Sequence, residues 1–207
     1  MVMHQAGFIN PKSLPLYDLI KENIDLIADE FLNDSLNLLL LKNRLGYQRT
    51  WLQNVAETDE LSPPIENWIK EGGFHQDQIG YDSRDGEWQT FPLWKANEHN
   101  VSDAINQYLP NTIQILKQIP GLYFAAFFKQ SSQSAVKPHK HLIKHHIVHF
   151  LLNDLDSGKA WIEVNGYKKF LSKKGDCIGF DYTYMHSSRN ESTSDRINVV
   201  LDIIPSC

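Results

Sequence analysis

Trp161-Ile162-Glu163-Val164-Asn165-Gly166-Tyr167 is the stretch on which the fold turns. Apolar and other residues alternate on the way into an Asn-Gly pair, the strongest short-range signal for a β-hairpin. A two-residue type I′ turn needs positive φ at both central positions, and Asn followed by Gly meets that need. Outward from this hairpin lie Tyr123–Phe128, His145–Leu152, Ala160–Val164, Tyr167–Leu171, Cys177–Phe180 and Arg196–Ile204, short runs rich in β-branched or aromatic residues. Asn153-Asp154, Ser157-Gly158 and Gly175-Asp176 punctuate them as turns. Closely spaced short strands predict a sandwich or barrel over residues 121–207.

The chain before residue 121 reads differently. From Leu16, the residues Leu19, Ile20, Ile24, Ile27, Ala28 and Phe31 recur mostly at steps of three and four, which predicts an amphipathic helix laid on a larger body. Asn33-Asp34-Ser35 supplies a break and a new N-cap, and a second helical stretch, Ile65–Glu71, stops at Gly72-Gly73. Residues 74–90 are polar and rich in turn formers, which predicts an exposed loop, and Phe91–Trp94 is strand-like. Ala104–Gln118 is helical, with Pro110 forcing a break or a new first turn. The layout is a single α+β domain over 1–207, with helices and loops over 1–120 and a β core over 121–207.

Composition narrows the function. The 207 residues are 42% hydrophobic, 22% charged and 11% aromatic, an ordinary globular balance that can bury a core without staples. The net charge of −5 gives no reason to expect nucleic acid or an anionic membrane as partner. Leu38–Leu41 and Tyr123–Phe128 are far too short to cross a bilayer. The N-terminus lacks a basic stretch followed by an apolar core, and Cys177 and Cys207 read as free thiols, so the expected location is cytoplasmic.

Histidine is concentrated. His139, His141, His145, His146 and His149 fall within eleven residues, and His186 follows His139 by 47. Four of the five are at odd positions, so an uninterrupted extended backbone would put them on one face; a turn within 140–144 would break that parity. Neutral imidazoles converging from separate barrel strands suit iron, zinc or copper. The alternative is a set of hydrogen-bonded structural histidines.

The tail sharpens this pattern: Gly175-Asp176-Cys177-Ile178-Gly179-Phe180-Asp181, then His186, Asn190 and Arg196, the last opening an apolar strand to Asp202. Together with Lys137-Pro138-His139, the strand of His149 and the weaker Glu87-Trp88-Gln89-Thr90-Phe91-Pro92-Leu93-Trp94, it resembles the aspartyl/asparaginyl β-hydroxylase family over roughly residues 86–204. The resemblance implies a double-stranded β-helix, a cupin-like jelly roll, with the N-terminal helices packed on it. It also implies an iron(II)- and 2-oxoglutarate-dependent oxygenase that consumes O2 and hydroxylates an amino-acid-like substrate (free, carrier-bound or peptidyl). Succinate and carbon dioxide would be co-products. On the same ground His139 and His186 are the expected metal ligands. Arg196 is expected to clamp the distal carboxylate of 2-oxoglutarate, a task suited to a planar and always charged guanidinium. His149 matches a family histidine that contacts the cosubstrate.

The chain departs from the pattern in three places. Many relatives of this oxygenase class carry a carboxylate two residues after the first histidine; here that residue is His141, a candidate third ligand. The family arginine two residues before His149 is Ile147, which cannot bind a carboxylate. Either a lysine such as Lys137 or Lys144 substitutes, or the substrate carries a different group there; Lys137, Lys140 and Lys144 are candidates to receive an anionic substrate group. A polar residue of the preceding strand is replaced by Phe127 or Phe128. Two alternatives therefore stand beside the oxygenase. One is a cupin-type metal enzyme using His139, His141 and His186 without 2-oxoglutarate, and the other is an inactive binding or regulatory β-barrel. Asp181 is a candidate for orienting an imidazole, and Tyr47, Arg49 and Trp51 for covering the pocket mouth. Oligomeric state is not legible in the sequence.

Overall fold

The computed structural model describes residues 7–32, 75–76, 88–96, 106, 109–141 and 144–205. Two antiparallel sheets form the body. The smaller contains β5 (Ser134–His139), β7 (Ala160–Val164), β8 (Tyr167–Leu171) and β10 (His186–Asn190), in the order β5-β10-β7-β8. The larger contains β1 (Phe8–Ile9), β2 (His75–Gln76), β3 (Trp88–Lys95), β4 (Leu122–Gln130), β6 (His146–Leu151), β9 (Cys177–Asp181) and β11 (Arg196–Ile203). Its order is β1-β9-β6-β11-β4-β3-β2. From β4 onward the chain crosses between sheets at every connection except the β7–β8 hairpin, as in a double-stranded β-helix.

The Asn-Gly hairpin is present. Asn165 and Gly166 take φ of 48° and 81°, and β7 and β8 pair outward from Val164 opposite Tyr167. The larger sheet also recruits β1 and β3 from before residue 121. Residues 75–76 and 88–90, expected as loop, pair as strand instead (His75 opposite Thr90). Their mostly polar sequence hides the strand pattern, while the pairing of β2 with β3 and of β3 with β4 imposes it.

The larger sheet is buried on both faces. Toward the smaller sheet, Phe124, Ala126, Phe128, Ile147, Ile178, Phe180 and Val200 pack with Val136, Ile162 and Val164. Toward the helices, Phe91, Leu93, Ala125, Phe127, Val148, Phe150, Val199 and Leu201 form a second core. That core is closed by α1 (Leu16–Glu22), α2 (Ile24–Leu32) and α3 (Pro110–Leu116). The expected single helix from Leu16 is thus two. The break falls at Asn23 (φ −105°, ψ 12°), whose amide donates to the Leu19 carbonyl and so competes with helix continuation.

Pro110 occupies the first turn of α3, and the Glu30 carboxylate of α2 accepts the Asn111 and Thr112 backbone N–H groups at 2.8 and 2.7 Å. A distant carboxylate thereby caps a helix whose own N-cap residue, Leu109, cannot. The expected helix Ile65–Glu71, the break at Asn33-Asp34-Ser35, the segment of Tyr47, Arg49 and Trp51, and Cys207 lie outside the described residues. Among the described residues, no helix is long and apolar enough to cross a membrane.

Candidate metal centre and pocket

His139 ends β5, His186 opens β10, and the two are direct cross-strand partners. That register brings their ring centroids to 4.2 Å. His141 lies just past β5, where its backbone N–H donates to the Tyr182 carbonyl at 3.1 Å and its ring stacks on Tyr182 at 3.7 Å and 10°. The ligand nitrogens of His139, His141 and His186 all lie within 4.8 Å of one another. His186 Nδ1 donates to the Tyr184 carbonyl at 2.8 Å, which leaves Nε2 as a lone-pair donor for a metal.

The electrostatics keep the rings of His141 and His186 neutral. Burial, and secondarily the neighbouring His139, lower His141 to about 4. Burial and His139 lower His186 to about 3, with the Tyr184 carbonyl opposing. A neutral imidazole is the form that ligates a metal, and the cluster is therefore chemically fit to hold one at neutral pH.

The cluster heads a cavity of about 590 Å³, counted out to its open mouth. Phe128, Val136, Ile147, Ile162 and Phe180 make its walls apolar. Farther in, the lining turns polar, with Ser188 of β10, His149 of β6 and Arg196 of β11. Arg196 is 1% exposed, and its Nη1 reaches across the barrel to within 3.5 Å of the Trp161 carbonyl on β7. Burial pulls its pKa down to about 9, so it stays cationic at neutral pH. His149 is fully buried, between Phe180 (stacked at 5.8 Å) and Phe128 (edge-on at 6.1 Å). Burial first, then Arg196 and His186, hold its pKa well below the ordinary value. Asn198 Nδ2 lies 3.1 Å from His149 Nδ1.

All five expected site residues thus line one cavity: His139, His141, His149, His186 and Arg196. Two further histidines of the cluster, His145 and His146, do not line it. His145 pairs instead with Asp202 at 2.9 Å and rests edge-on against Tyr123, and His146 begins β6. Of the four odd-numbered histidines, His139, His141 and His149 thus line the cavity, and His145 is held by Asp202 instead. Asp181 does not orient an imidazole: its Oδ1 accepts from the Thr183 N–H and hydroxyl at 2.9 and 2.6 Å, closing the turn before His186.

Asn190 is structural, donating to the carbonyls of Gln130, Ser131 and Ser194 and so tying β10 to the turn after β4. Of the two phenylalanines named, Phe128 lines the cavity and Phe127 faces the helices. Lys140 and Lys144 are exposed. Sequence reasoning did not single out Ser188, Asn198 or Tyr182. Period-two spacing from His186 and from Arg196 was the signal available for the first two.

A double-stranded β-helix with a three-histidine cluster at the head of its cavity defines a cupin-like, metal-competent barrel. A model of the aspartyl/asparaginyl beta-hydroxylase family matches residues 52–205, more than half of the chain. The protein belongs to that family. No curated protein matches the chain.

Similar solved structures include a predicted oxalate decarboxylase from Thermotoga maritima (TM-score 0.40, 17% identity, 64% of this chain and 98% of that one). Another is the Cnp3 cupin domain of Schizosaccharomyces pombe (TM-score 0.40, 8% identity, 62% and 70%). A third is a cupin domain of a transcriptional regulator from Enterobacter cloacae (TM-score 0.38, 13% identity, 57% and 98%).

Proposed function

We propose that this protein is an iron(II)- and 2-oxoglutarate-dependent oxygenase that hydroxylates an amino-acid-like substrate, free, carrier-bound or peptidyl. The observation that carries the reading is one cavity with three clustered imidazoles at its head and a buried guanidinium farther in. His139 and His186 would hold the metal, with His141 as third ligand in the place where other members of the oxygenase class use a carboxylate. Arg196 would hold the distal carboxylate of 2-oxoglutarate, and His149 would contact the same cosubstrate.

Iron(II) with 2-oxoglutarate and O2 supplies the oxidation that inserts a hydroxyl into a substrate C–H bond, with succinate and carbon dioxide as co-products. The protein's own residues bind and exclude. A buried cation in an apolar surrounding attracts a dicarboxylate strongly because little water competes for it. Phe128, Val136, Ile162 and Phe180 offer water few partners along the cavity walls, so an anion held by Arg196 would be poorly solvated there. Tyr182, stacked on His141, holds the third imidazole in orientation. Ile147 contributes an apolar wall where the resemblance leads one to expect an arginine, which favours a substrate that presents an apolar group there.

A cupin-type metal enzyme without 2-oxoglutarate is the second reading, favoured by the third histidine. Arg196 separates the two, since that chemistry needs no carboxylate clamp.

Anaerobic addition of iron(II) and then 2-oxoglutarate tests the proposal. The visible metal-to-ligand charge-transfer band is expected in the wild type, absent in His139→Ala and at least tenfold weaker in affinity in Arg196→Ala. Metal binding with no band at any 2-oxoglutarate concentration would favour the second reading. No metal binding would defeat both.

A further inference from the structure

Asn198 does not belong to the motif that drew attention to the pocket, yet it is completely buried beside it, two residues after Arg196 on β11. Its Nδ2 lies 3.1 Å from His149 Nδ1, and its Oδ1 has no hydrogen-bond partner among the described residues. An amide nitrogen can only donate, so Nδ1 of His149 must accept, and the ring proton of the neutral imidazole then sits on Nε2. The opposite amide orientation would leave the Asn198 NH2 group, with two hydrogens, in the place of a single orphaned carbonyl. Buried N–H groups without partners are rarer and costlier than under-satisfied carbonyls.

We propose that Asn198 is a positioning residue that fixes the tautomer of His149, so that His149 presents an Nε2 hydrogen to the cavity and holds a carboxylate there. With Arg196 as cation and His149 as neutral donor, the inner part of the cavity offers donors from two neighbouring strands. An acceptor-rich anion fits this set, and a ligand that presents N–H groups does not. That the anion is 2-oxoglutarate rests on the function proposed above. The tautomer does not.

The measurement is a long-range 15N–1H correlation spectrum of the imidazoles in the full-length protein, with His149 assigned by the loss of its signals in His149→Phe. The wild type is expected to show His149 with Nδ1 unprotonated and Nε2 protonated. In Asn198→Asp the new carboxylate accepts rather than donates, so the proton moves to Nδ1 and 2-oxoglutarate affinity, read from the charge-transfer band, falls tenfold or more. Asn198→Leu, which buries no charge and guards against misfolding of the aspartate variant, is expected to give mixed tautomers and a severalfold loss of affinity. A wild-type spectrum with Nδ1 protonated would overturn the proposal, as would a folded variant that keeps both the wild-type tautomer and the wild-type affinity. Absence of the band in the wild type would defeat the cosubstrate reading and with it the carboxylate half of this one. The imidazole spectrum would still decide the role of Asn198 in setting the tautomer.

Discussion

The larger sheet has two buried faces made of different materials. On β11, Val199, Leu201 and Ile203 point to the helices, while Arg196, Asn198 and Asp202 alternate with them alongside Val200. On β6, Val148 and Phe150 face the helices while His149 sits between Ile147 and Leu151 on the other side. Burying a polar or charged group costs free energy that an apolar residue of like size does not incur. The helix-facing core is therefore built for stability. The cavity-facing core gives up stability to hold groups that a ligand can satisfy, and the same strands do both because side chains alternate.

The contrast can be broken most severely on the helix side. Phe127 is fully buried, with its ring 4.2 Å from that of Phe31. Phe127→Ala is expected to cost about 3–5 kcal/mol of unfolding free energy. Metal affinity in the fraction that stays folded should be nearly unchanged. An equally large loss of metal binding in the folded fraction, measured by calorimetry at low temperature, would show that the two faces are not separable.

The cavity side should reveal itself through pH. His141 is lowered to about 4, His186 to about 3, and His149 well below its ordinary value. In the unfolded chain each would titrate near 6.5, so from there down to about 4 the unfolded state holds more protons than the folded one. Stability of the metal-free protein must then fall on acidification through this window, by up to roughly 1.4 kcal/mol per pH unit for each histidine. His186→Ala should flatten the slope in urea titrations. A slope unaltered by that substitution would remove His186 from the account.

Arg196→Met replaces a buried cation by an apolar side chain of similar length. The metal-free protein is expected to keep its stability or gain about 1–3 kcal/mol, the pattern seen when buried charges are exchanged for well-packed hydrophobes. Affinity for 2-oxoglutarate should be lost. A marked destabilisation in thermal melts would mean that the guanidinium holds the barrel together, and the division between the faces would blur.

The smallest effect is expected where helix meets sheet at the rim. Lys21 Nζ donates to the Gly175 carbonyl at 2.7 Å, linking α1 to the turn before β9. Lys21→Met should cost about 1–2 kcal/mol, as for one part-buried hydrogen bond to a charged group. The cavity should be indifferent to it, and a change in 2-oxoglutarate affinity would show that the helices are coupled to the site.

The sequence by itself determined the β-rich half. The Asn165-Gly166 turn, the punctuation between strands and the apolar runs are local signals, and local backbone chemistry suffices to read them. It also pointed to residues that meet in space: the resemblance to the hydroxylase family singled out His139, His186 and Arg196, and all three line one cavity. What it could not determine was whatever depends on a partner far along the chain. β5 and β10 are not among the strand-like runs legible in the sequence, yet they are strands because each has the other as a ladder partner, and that pairing sets His139 against His186.

Which histidines line the cavity depended on tertiary contacts, since His145, just before β6, meets Asp202 of β11 instead. Asn198 became relevant only when β6 and β11 lay side by side and its amide met the ring of His149. Side-chain chemistry is written one residue at a time, whereas a site is a set of distances, and distances between strands are fixed by the pairing and packing of the whole barrel.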